Sequence, residues 1–270
     1  MTMFTPSSSA SVREFEDCRN IADGAVIILA SGMSAKNFPL GTFPHVPVIA
    51  MNGSIAMLRD AGIRPFFYAC SDRGFARQQP ELFSYALANS ERLALWEDQF
   101  RAHNNPTSGE VYFLKKAENI PFWKALFCHT NAHHVRNRFS LDKRRRSLGF
   151  SRDLQYGFFD ARTVAYLALQ IAYHAGFTRA FLVGVDLNQT GGRFYEKDHG
   201  YKSPCGLDDY TETRILPSLR LAKERVVDER FAIFNLSAIS KIPDSIIPRI
   251  DLKTFEAMVK SQAPGDKQTA

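Results

Sequence analysis

The chain has 270 residues, a formal net charge of +6 and a pI of about 9.2. Hydrophobic residues make up 45% and charged residues 23%, as in an ordinary globular protein. No apolar run reaches the ~18 residues of a membrane-spanning helix, and the first residues do not resemble a secretory signal, so we expect a cytoplasmic protein. The basic balance favours anionic partners, which include phosphorylated sugars, nucleic acid and an anionic membrane surface.

The cysteines and histidines give no sign of a metal centre. The four cysteines follow no CxxC spacing, so we expect reduced thiols rather than disulfides or a zinc site; they are Cys18, Cys70, Cys128 and Cys205. His129, His133 and His134 have an HxxxHH spacing but no obvious acidic third ligand, and we predict that they bind no metal.

The first half of the chain predicts short buried strands that end in small polar residues. Residues 1–20 are expected to be flexible, and two apolar runs follow at 26–29 and 48–51. Short runs of this kind are typical of parallel strands that are buried on both faces. A helix is predicted over 54–61, closed by Gly62, and a third strand over 65–70.

Later segments extend the same alternation of helices and strands. A helix is predicted over 81–89 and a strand over 93–95, whereas the pattern weakens afterwards and indicates an inserted, largely helical lobe over about 97–150. Helical spacing returns over 161–176, and a buried strand follows over 180–186. A helix over 210–226, a strand over 232–236 and a flexible tail over 256–270 complete the chain.

These elements predict an α/β fold with a Rossmann-like, mostly parallel sheet flanked by helices, in a single domain over residues 21–255. In such sheets, ligands bind beyond the carboxyl ends of the strands. The strand ends carry small and polar residues, namely Ser31, Gly32, Met33, Ser34, Asn52, Gly53, Ser71 and Asp72. Neither the GxGxxG fingerprint nor a GxxxxGK[ST] phosphate loop is present, so we expect another kind of nucleotide-like ligand.

Each candidate also has a plain structural interpretation. Ser31, Gly32 and Ser34 can cradle a phosphate or ribose, or can form a strand-to-helix turn with an N-cap serine. Asn52 can bind a base or sugar through its amide, or can cap the next helix. Asp186 can orient a hydroxyl or act as a base, or can cap the following loop, and Asp72 is similar.

The motifs ASGMSA, VIAMNGS, PFFYACSDRGF, SLGFSRD, DARTVAYLALQIA, FLVGVDL, GGRFY and IFNLS occur in this order. The series resembles the WaaZ-type proteins of lipopolysaccharide core synthesis over roughly residues 25–75 and 147–250. The resemblance implies a transferase that adds a third Kdo (3-deoxy-manno-octulosonate) residue to the inner core. A more distant similarity to bacterial CMP-sialic acid sialyltransferases implies a CMP-activated acidic sugar as the donor and no cofactor.

The resemblance also implies roles for individual residues. The positions that match the sialyltransferases are Ser31–Ser34, Asn52, Ser71, Asp72, Thr163, Gly184 and Asp186. This chain departs from their pattern at Ser31, where they have Asn, and at Asn188, where they have Tyr. Their catalytic histidine lies in a loop comparable to that of His199, which is therefore the expected general base. The chemistry of the transfer, rather than the resemblance, suggests Arg193 and Tyr195 in the loop after residues 180–186 as groups that stabilise the leaving phosphate; alternatively, they are a solvated loop cation and a packed aromatic residue.

The implied function is a metal-independent glycosyltransferase that adds Kdo or a related ulosonate to the inner core at the cytoplasmic membrane face. The basic run at residues 143–146 can contact the acidic acceptor or anionic lipid, or can be a solvated charge run. No nucleic-acid-binding motif is found. Two alternatives stay open, an ATP-dependent pterin pyrophosphokinase-like enzyme and a non-catalytic nucleotide- or glycan-binding protein of the same fold.

Overall fold

The centre of the fold is an eight-stranded sheet in which every neighbouring pair is parallel. A computed structural model describes residues 11–103, 106–118, 132–137, 142–188, 192–195 and 207–260. The strands are β1 (Ser11–Arg13), β2 (Ala25–Leu29), β3 (Val48–Met51), β4 (Phe67–Cys70), β5 (Arg92–Leu95), β6 (Glu110–Phe113), β7 (His134–Arg136), β8 (Gly149–Ser151), β9 (Arg179–Val183) and β10 (Ala232–Asn235). The sheet has the order β1-β6-β5-β4-β3-β2-β9-β10, and β7 and β8 form a separate antiparallel pair.

Helices cover both faces of this sheet. The α-helices of the described ranges are α1 (Ile55–Ala61), α2 (Phe75–Gln78), α3 (Pro80–Asn89), α4 (Glu97–Arg101), α5 (Lys143–Arg146), α6 (Val164–Ala175), α7 (Leu207–Tyr210), α8 (Leu216–Arg225) and α9 (Leu252–Lys260). A π-helical segment, Thr211–Ile215, joins α7 to α8. Alternate residues of β2 enter two different cores, with Ile28 in the core that contains α6 and Ile27 in the core that contains α9. None of the helices in the described ranges is long and apolar enough to cross a membrane.

The strand order creates a switch point between β2 and β9. The chain runs from β2 through β3 and β4 to β5 in one direction, and later returns to place β9 on the other side of β2. The connections that leave β2 and β9 therefore diverge at the carboxyl edge of the sheet. In parallel α/β sheets, this divergence opens a ligand-binding crevice.

The predicted fold class and most of the predicted strands are confirmed. The second apolar run forms β3 with the predicted bounds, and the first forms β2 with one extra residue. Gly62 and Gly176 end their helices in the left-handed conformation, with φ values of 65° and 99°. Glycine reaches this conformation without a steric penalty, so both residues are effective helix stops.

The prediction of a largely helical lobe over about 97–150 holds at its start, where α4 (Glu97–Arg101) is helical, but is wrong at residues 110–113. Residues 110–113 form β6, which lies inside the main sheet between β5 and β1. A strand of four residues has little periodicity of its own, so only its long-range pairing reveals it. Residues 119–131 and 138–141 of the predicted lobe lie outside the described residues.

Both predicted flexible ends contain folded segments. Residues 11–13 form β1, and Phe15 and Cys18 are buried at 5% and 1% exposure. At the other end, α9 extends to Lys260 and buries Phe255 and Val259. Residues 1–10 and 261–270 lie outside the described residues.

The two described cysteines agree with the expectation of reduced structural thiols. Cys18 and Cys70 are free and buried. Burial raises the pKa of each thiol to about 12, so both stay protonated at neutral pH. Cys128 and Cys205 lie outside the described residues.

Replacement of Phe15 by alanine tests whether the N-terminal segment belongs to the folded core. Its ring packs 5.4 Å from that of Tyr112 and 5.9 Å from that of His174, measured between centroids. We expect Phe15→Ala to lower the free energy of unfolding by about 3–5 kcal/mol in chemical denaturation. The matched control is Val12→Ala, at a residue that is 49% exposed, where we expect a change within about 0.5 kcal/mol. Equal, small changes in both variants would show that this segment is not packed as described.

Candidate active site

A cleft of about 1090 Å³ lies at the carboxyl edge of the sheet, across the switch point. It is built from the loops after β2, β3, β4, β5, β6 and β9 and from the start of α6. Nine of the residues predicted from the sequence line it, namely Ser31, Gly32, Asn52, Ser71, Asp72, Thr163, Gly184, Asp186 and Arg193. Residues far apart in the chain are therefore brought to one site by the parallel strand order.

The contact between Asp186 and Ser34 holds the two sides of the switch point together. Asp186 Oδ2 accepts a hydrogen bond from the Ser34 backbone N–H at 3.0 Å, and Oδ1 accepts one from the Ser34 hydroxyl. The carboxylate is 5% exposed, and both of its oxygens are thus engaged by the same residue. This arrangement is that of a positioning group for the loop after β2.

Gly32 lies next to the Asp186 carboxylate and has no room for a side chain. Its N–H donates to the Gly184 carbonyl at 3.0 Å. A Cβ atom at Gly32 would overlap that carbonyl oxygen and would lie 2.5 Å from Asp186 Oδ2. The glycine therefore permits the close approach of the loops after β2 and β9.

The segment 192–195 pairs with the loop after β2. Arg193 forms a β-bridge with Gly32, and the Phe194 N–H donates to the Ser31 carbonyl at 3.2 Å. Arg193 Nη1 donates to the Tyr195 hydroxyl at 2.9 Å. The Tyr195 ring occupies the space beside Gly53, where a Cβ atom would overlap it. Tyr195 and Gly53 thus pack against each other next to the cleft without lining it.

Four predicted residues do not line the cleft. They are Met33, Ser34, Gly53 and Tyr195. Met33 is 37% exposed, and Ser34 acts through Asp186. Of the predicted catalytic residues, His199 lies outside the described residues.

Backbone strain is concentrated at the cleft. Asn52, Arg162 and Leu187 line it and have φ values of 46°, 62° and 51°. Left-handed conformations of non-glycine residues cost of order 1–3 kcal/mol each and are often found at functional sites. Within the described residues, Asn52 Oδ1 is also buried without a hydrogen-bond partner. An unsatisfied buried acceptor at a strained residue marks Asn52 as a candidate ligand-binding group.

The N-terminus of α6 also opens into the cleft. Thr163 is the N-cap residue, but its side chain makes no capping hydrogen bond. Val164 and Ala165 line the cleft next to it. The first N–H groups of a helix have no partner within the helix, and its dipole favours a negative charge there. An acidic ligand group therefore suits this end of the cleft.

Asp72 differs from the other cleft carboxylates in its hydrogen bonding. Its Oδ1 accepts from the Gly74 N–H at 2.8 Å, whereas its Oδ2 has no hydrogen-bond partner among the described residues. In Asp160, Oδ2 accepts from Lys116 Nζ at 2.7 Å and Oδ1 from the Arg162 N–H at 2.8 Å. Burial alone raises the pKa of Asp160, but these contacts outweigh it, and the pKa is lowered.

Several residues of the cleft were missed by the sequence analysis. They include Arg73, Trp96, Lys115, Lys116, Phe158, Asp160, Arg162 and Tyr210. Most come from segments with weak periodicity. Arg73 directly follows the predicted strand end at Ser71-Asp72, and Asp160 and Arg162 precede the predicted residue Thr163, so these three had a signal in the sequence.

The structure describes two of the three histidines of the HxxxHH spacing, His133 and His134, whereas His129 lies outside the described residues. His133 Nδ1 lies 2.9 Å from Asp153 Oδ2. The same oxygen accepts a hydrogen bond from Arg19 Nη1 at 2.6 Å. Burial lowers the pKa of His134 to about 4, so this imidazole is neutral at physiological pH. The described residues contain no group of three metal-ligating side chains.

Comparisons with known proteins identify the family. The family described as "3-deoxy-D-manno-octulosonic acid transferase WaaZ" matches residues 8–253. The chain is 29% identical over 245 residues to a probable 3-deoxy-manno-octulosonic acid transferase of Escherichia coli K12, covering 86% of this chain and 84% of that protein. It is 30% identical over 264 residues to the protein of the same description from Salmonella typhimurium LT2, covering 90% of each.

The chain therefore belongs to the WaaZ family of Kdo transferases. This membership makes it a glycosyltransferase and confirms the resemblance drawn from the ordered motifs. It does not favour the pyrophosphokinase alternative or the non-catalytic binding protein.

One solved structure is also similar, the MAf glycosyltransferase from Magnetospirillum magneticum AMB-1. The TM-score is 0.48 at 15% sequence identity, over 94% of this chain and 38% of that chain. The chain thus spans a little over a third of that protein. The strand order described above, rather than this likeness, defines the fold.

Replacement of Gly32 by alanine tests the close approach at the switch point. We expect Gly32→Ala to cost about 1–3 kcal/mol of stability, because the methyl group must displace the Gly184 carbonyl or the Asp186 carboxylate. Thermal and urea unfolding measure this cost. Gly41→Ala is the matched control, since a Cβ atom there meets nothing within 4 Å, and it should change stability by no more than about 0.5 kcal/mol. Equal stability of the two variants would contradict the described geometry.

Proposed function

We propose that this Kdo transferase uses CMP-Kdo, or a related CMP-ulosonate, and adds the sugar to the lipopolysaccharide inner core without a metal ion. The observation that carries the proposal is the cleft at the switch point between β2 and β9, in a member of a Kdo transferase family. Such clefts hold nucleotides in many α/β proteins. The proposed location is the cytoplasmic face of the inner membrane, where the protein is peripheral.

The cytidine phosphate is proposed to bind at the switch point itself. Ser31 and Gly32 lie at the cleft surface. The Gly32 N–H already donates to the Gly184 carbonyl, so the donors offered to a phosphate or ribose are the N–H and hydroxyl of Ser31, and Gly32 lets the ligand come close to the backbone. Arg193, in the segment 192–195 that pairs with this loop, adds a cation, and its guanidinium is held by a hydrogen bond to the Tyr195 hydroxyl. Asn52 offers its amide to the base or sugar, which would satisfy its unpaired Oδ1.

The carboxylate of the transferred sugar is proposed to bind at the start of α6. The Thr163 side chain at this position makes no capping hydrogen bond, and the dipole of α6 favours an anion at the start of the helix. Arg162 precedes it, and its guanidinium lies 5.0 Å from the Tyr210 ring centroid. Arg162 makes no salt bridge with another described residue, although its charge helps to lower the pKa of Asp160, and the residue lines the cleft where the ligand would bind.

The reaction breaks the bond between the anomeric carbon and the phosphate oxygen, and the electron pair leaves with CMP. The acceptor hydroxyl attacks the anomeric carbon and gives its proton to a base. Cations that line the cleft, such as Arg193 and Arg162, stabilise the phosphate and the carboxylate as charge develops. This electrostatic role does not require a metal ion.

Asp72 is the carboxylate proposed as the base. Both oxygens of Asp186 and of Asp160 already accept hydrogen bonds, whereas Asp72 Oδ2 accepts none from the described residues. A base must have an oxygen available for the proton of the acceptor. His199 is the competing candidate.

Transfer of Kdo from CMP-Kdo to an inner-core oligosaccharide tests the proposed function directly. We expect mass spectrometry to show one added Kdo in the presence of EDTA, and calorimetry to show binding of CMP but not of ATP. Binding of ATP without CMP, or activity that EDTA abolishes and Mg²⁺ restores, would contradict the donor or the metal-independent mechanism, respectively.

Replacement of Asp72 by asparagine tests the base. The asparagine Oδ1 can still accept from Gly74, so the loop should keep its shape. We expect Asp72→Asn to lower kcat about 10²–10⁴-fold with little change in CMP affinity. Asp60→Asn, at an exposed carboxylate outside the cleft, is the matched control and should leave kcat unchanged.

The pH profile separates the two candidate bases. A base works only when deprotonated, and carboxyl groups ordinarily titrate near pH 4, whereas imidazoles titrate near pH 6.5. A carboxylate base and an imidazole base therefore predict different acidic limbs of the kcat profile. A fall of kcat below about pH 6.5, together with full activity of Asp72→Asn, would assign the role to a histidine such as His199.

A further inference from the structure

The cleft extends well beyond the switch point along the edge of the sheet. Strands β3, β4, β5 and β6 follow β2 in this order on one side. Neighbouring strands lie about 4.8 Å apart, so the ends of β5 and β6 are roughly 14 and 19 Å from the end of β2. The cleft, at about 1090 Å³, is also at the upper end of the range for a single small ligand. This geometry leaves room for a second substrate beside the nucleotide.

The far part of the cleft has a chemical character of its own. Its wall comes from the loops after β4, β5 and β6 and consists of Arg73, Trp96, Lys115 and Lys116, which we call the β4–β6 wall. It presents three cations and one indole ring. The part at the switch point instead has small residues and backbone groups, such as Ser31 and Gly32.

Trp96 organises the cations of the β4–β6 wall. Its indole N–H donates to the Ser71 carbonyl at 2.9 Å, which fixes the plane of the ring. The Arg73 guanidinium carbon lies 4.6 Å from the ring centroid, and Lys116 Nζ lies 6.0 Å from it. Both distances are within the range of cation–π attraction.

Backbone pairing fixes the position of Lys115 and Lys116. The Phe158 N–H donates to the Lys115 carbonyl, and the Ala117 N–H donates to the Phe158 carbonyl, both at 2.8 Å. Gly157, with φ of 90°, lets the two segments meet, because a Cβ atom there would lie 2.7 Å from the Ala117 nitrogen. The two lysines are therefore carried on a defined backbone rather than on a free loop.

Lys115 differs from the other cations of this wall in its partners. Arg73 is paired with Asp98, and Lys116 is paired with Asp160. Lys115 is exposed, and its ammonium group has no carboxylate partner among the described residues. A lysine in this position can bind an acid group of a ligand without giving up an existing ion pair.

We propose that the β4–β6 wall is the acceptor subsite and that Lys115 binds a carboxylate of the acceptor sugar. The assignment rests on the proposed function, since an inner-core acceptor that already contains Kdo carries a carboxylate on each Kdo residue. The nucleotide occupies the switch point, and the acceptor approaches along the ends of β5 and β6. Lys115 then determines specificity for an acidic acceptor.

Calorimetry with two matched oligosaccharides tests this assignment in the presence of CMP. One is a Kdo-terminated inner-core oligosaccharide, and the other is the same compound with its carboxyl groups reduced to alcohols. We expect the wild-type protein to bind the acidic form about tenfold or more tightly than the reduced form, as for a charge-assisted hydrogen bond. Lys115→Ala should lose most of this preference but keep its affinity for CMP.

Two further variants serve as controls. Lys115→Arg keeps the positive charge and should keep most of the preference for the acidic oligosaccharide. Retention in Lys115→Arg together with loss in Lys115→Ala would show that the charge, rather than the shape of the side chain, determines the preference. Lys253→Ala removes an exposed lysine of α9 that does not line the cleft, and it should behave as the wild type. An unchanged preference in Lys115→Ala, or no preference in the wild type, overturns the assignment. Failure of Kdo transfer with an intact, Lys115-dependent preference would overturn the proposed donor chemistry instead.

Discussion

The hydrogen bonds between Asp186 and Ser34 are the contact on which the site depends. They join the loop after β2 to the end of β9, where the chain changes direction in the sheet. Next to this contact, the Gly32 N–H donates to the Gly184 carbonyl, and Arg193 forms a β-bridge with Gly32. The contact adds a buried side-chain link to the backbone hydrogen bonds that join Ser31 and Gly32 to Gly184 and to the segment 192–195. Its geometry makes Asp186 a positioning group for the loop after β2.

The strained residues of the cleft are held by a sheet that is covered on both faces. Asn52 is the first residue after β3, and Leu187 is the fourth residue after β9. The side chains of these two strands are almost completely buried. Left-handed conformations at such residues oppose folding, and the buried strands offset that cost.

The sequence carried strong local signals for some of these elements. The apolar runs of β2, β3 and β9 and the polar residues after them predicted the sheet and its ligand-binding edge. The ordered motifs predicted the family, which the comparisons confirm. The glycines at 62 and 176 also marked the helix ends, because their conformation is a local property.

The missed features depend on contacts between distant segments. β6 has four residues, and only its pairing with β5 and β1 makes it part of the sheet. Asp160 binds Lys116, which is 44 positions away, and Lys115 enters the cleft through backbone pairing with Phe158. No periodicity in the sequence reports such pairs. As a result, the nucleotide end of the cleft was predictable and the proposed acceptor end was not.

A crystal structure with bound CMP is the most direct test of this account. We predict that the phosphate lies within hydrogen-bonding distance of the Ser31 N–H or hydroxyl and of Arg193, and that the β4–β6 wall remains unoccupied by the nucleotide. A nucleotide bound at the ends of β5 and β6, or outside the cleft, would contradict the assignment of the switch point as the donor site.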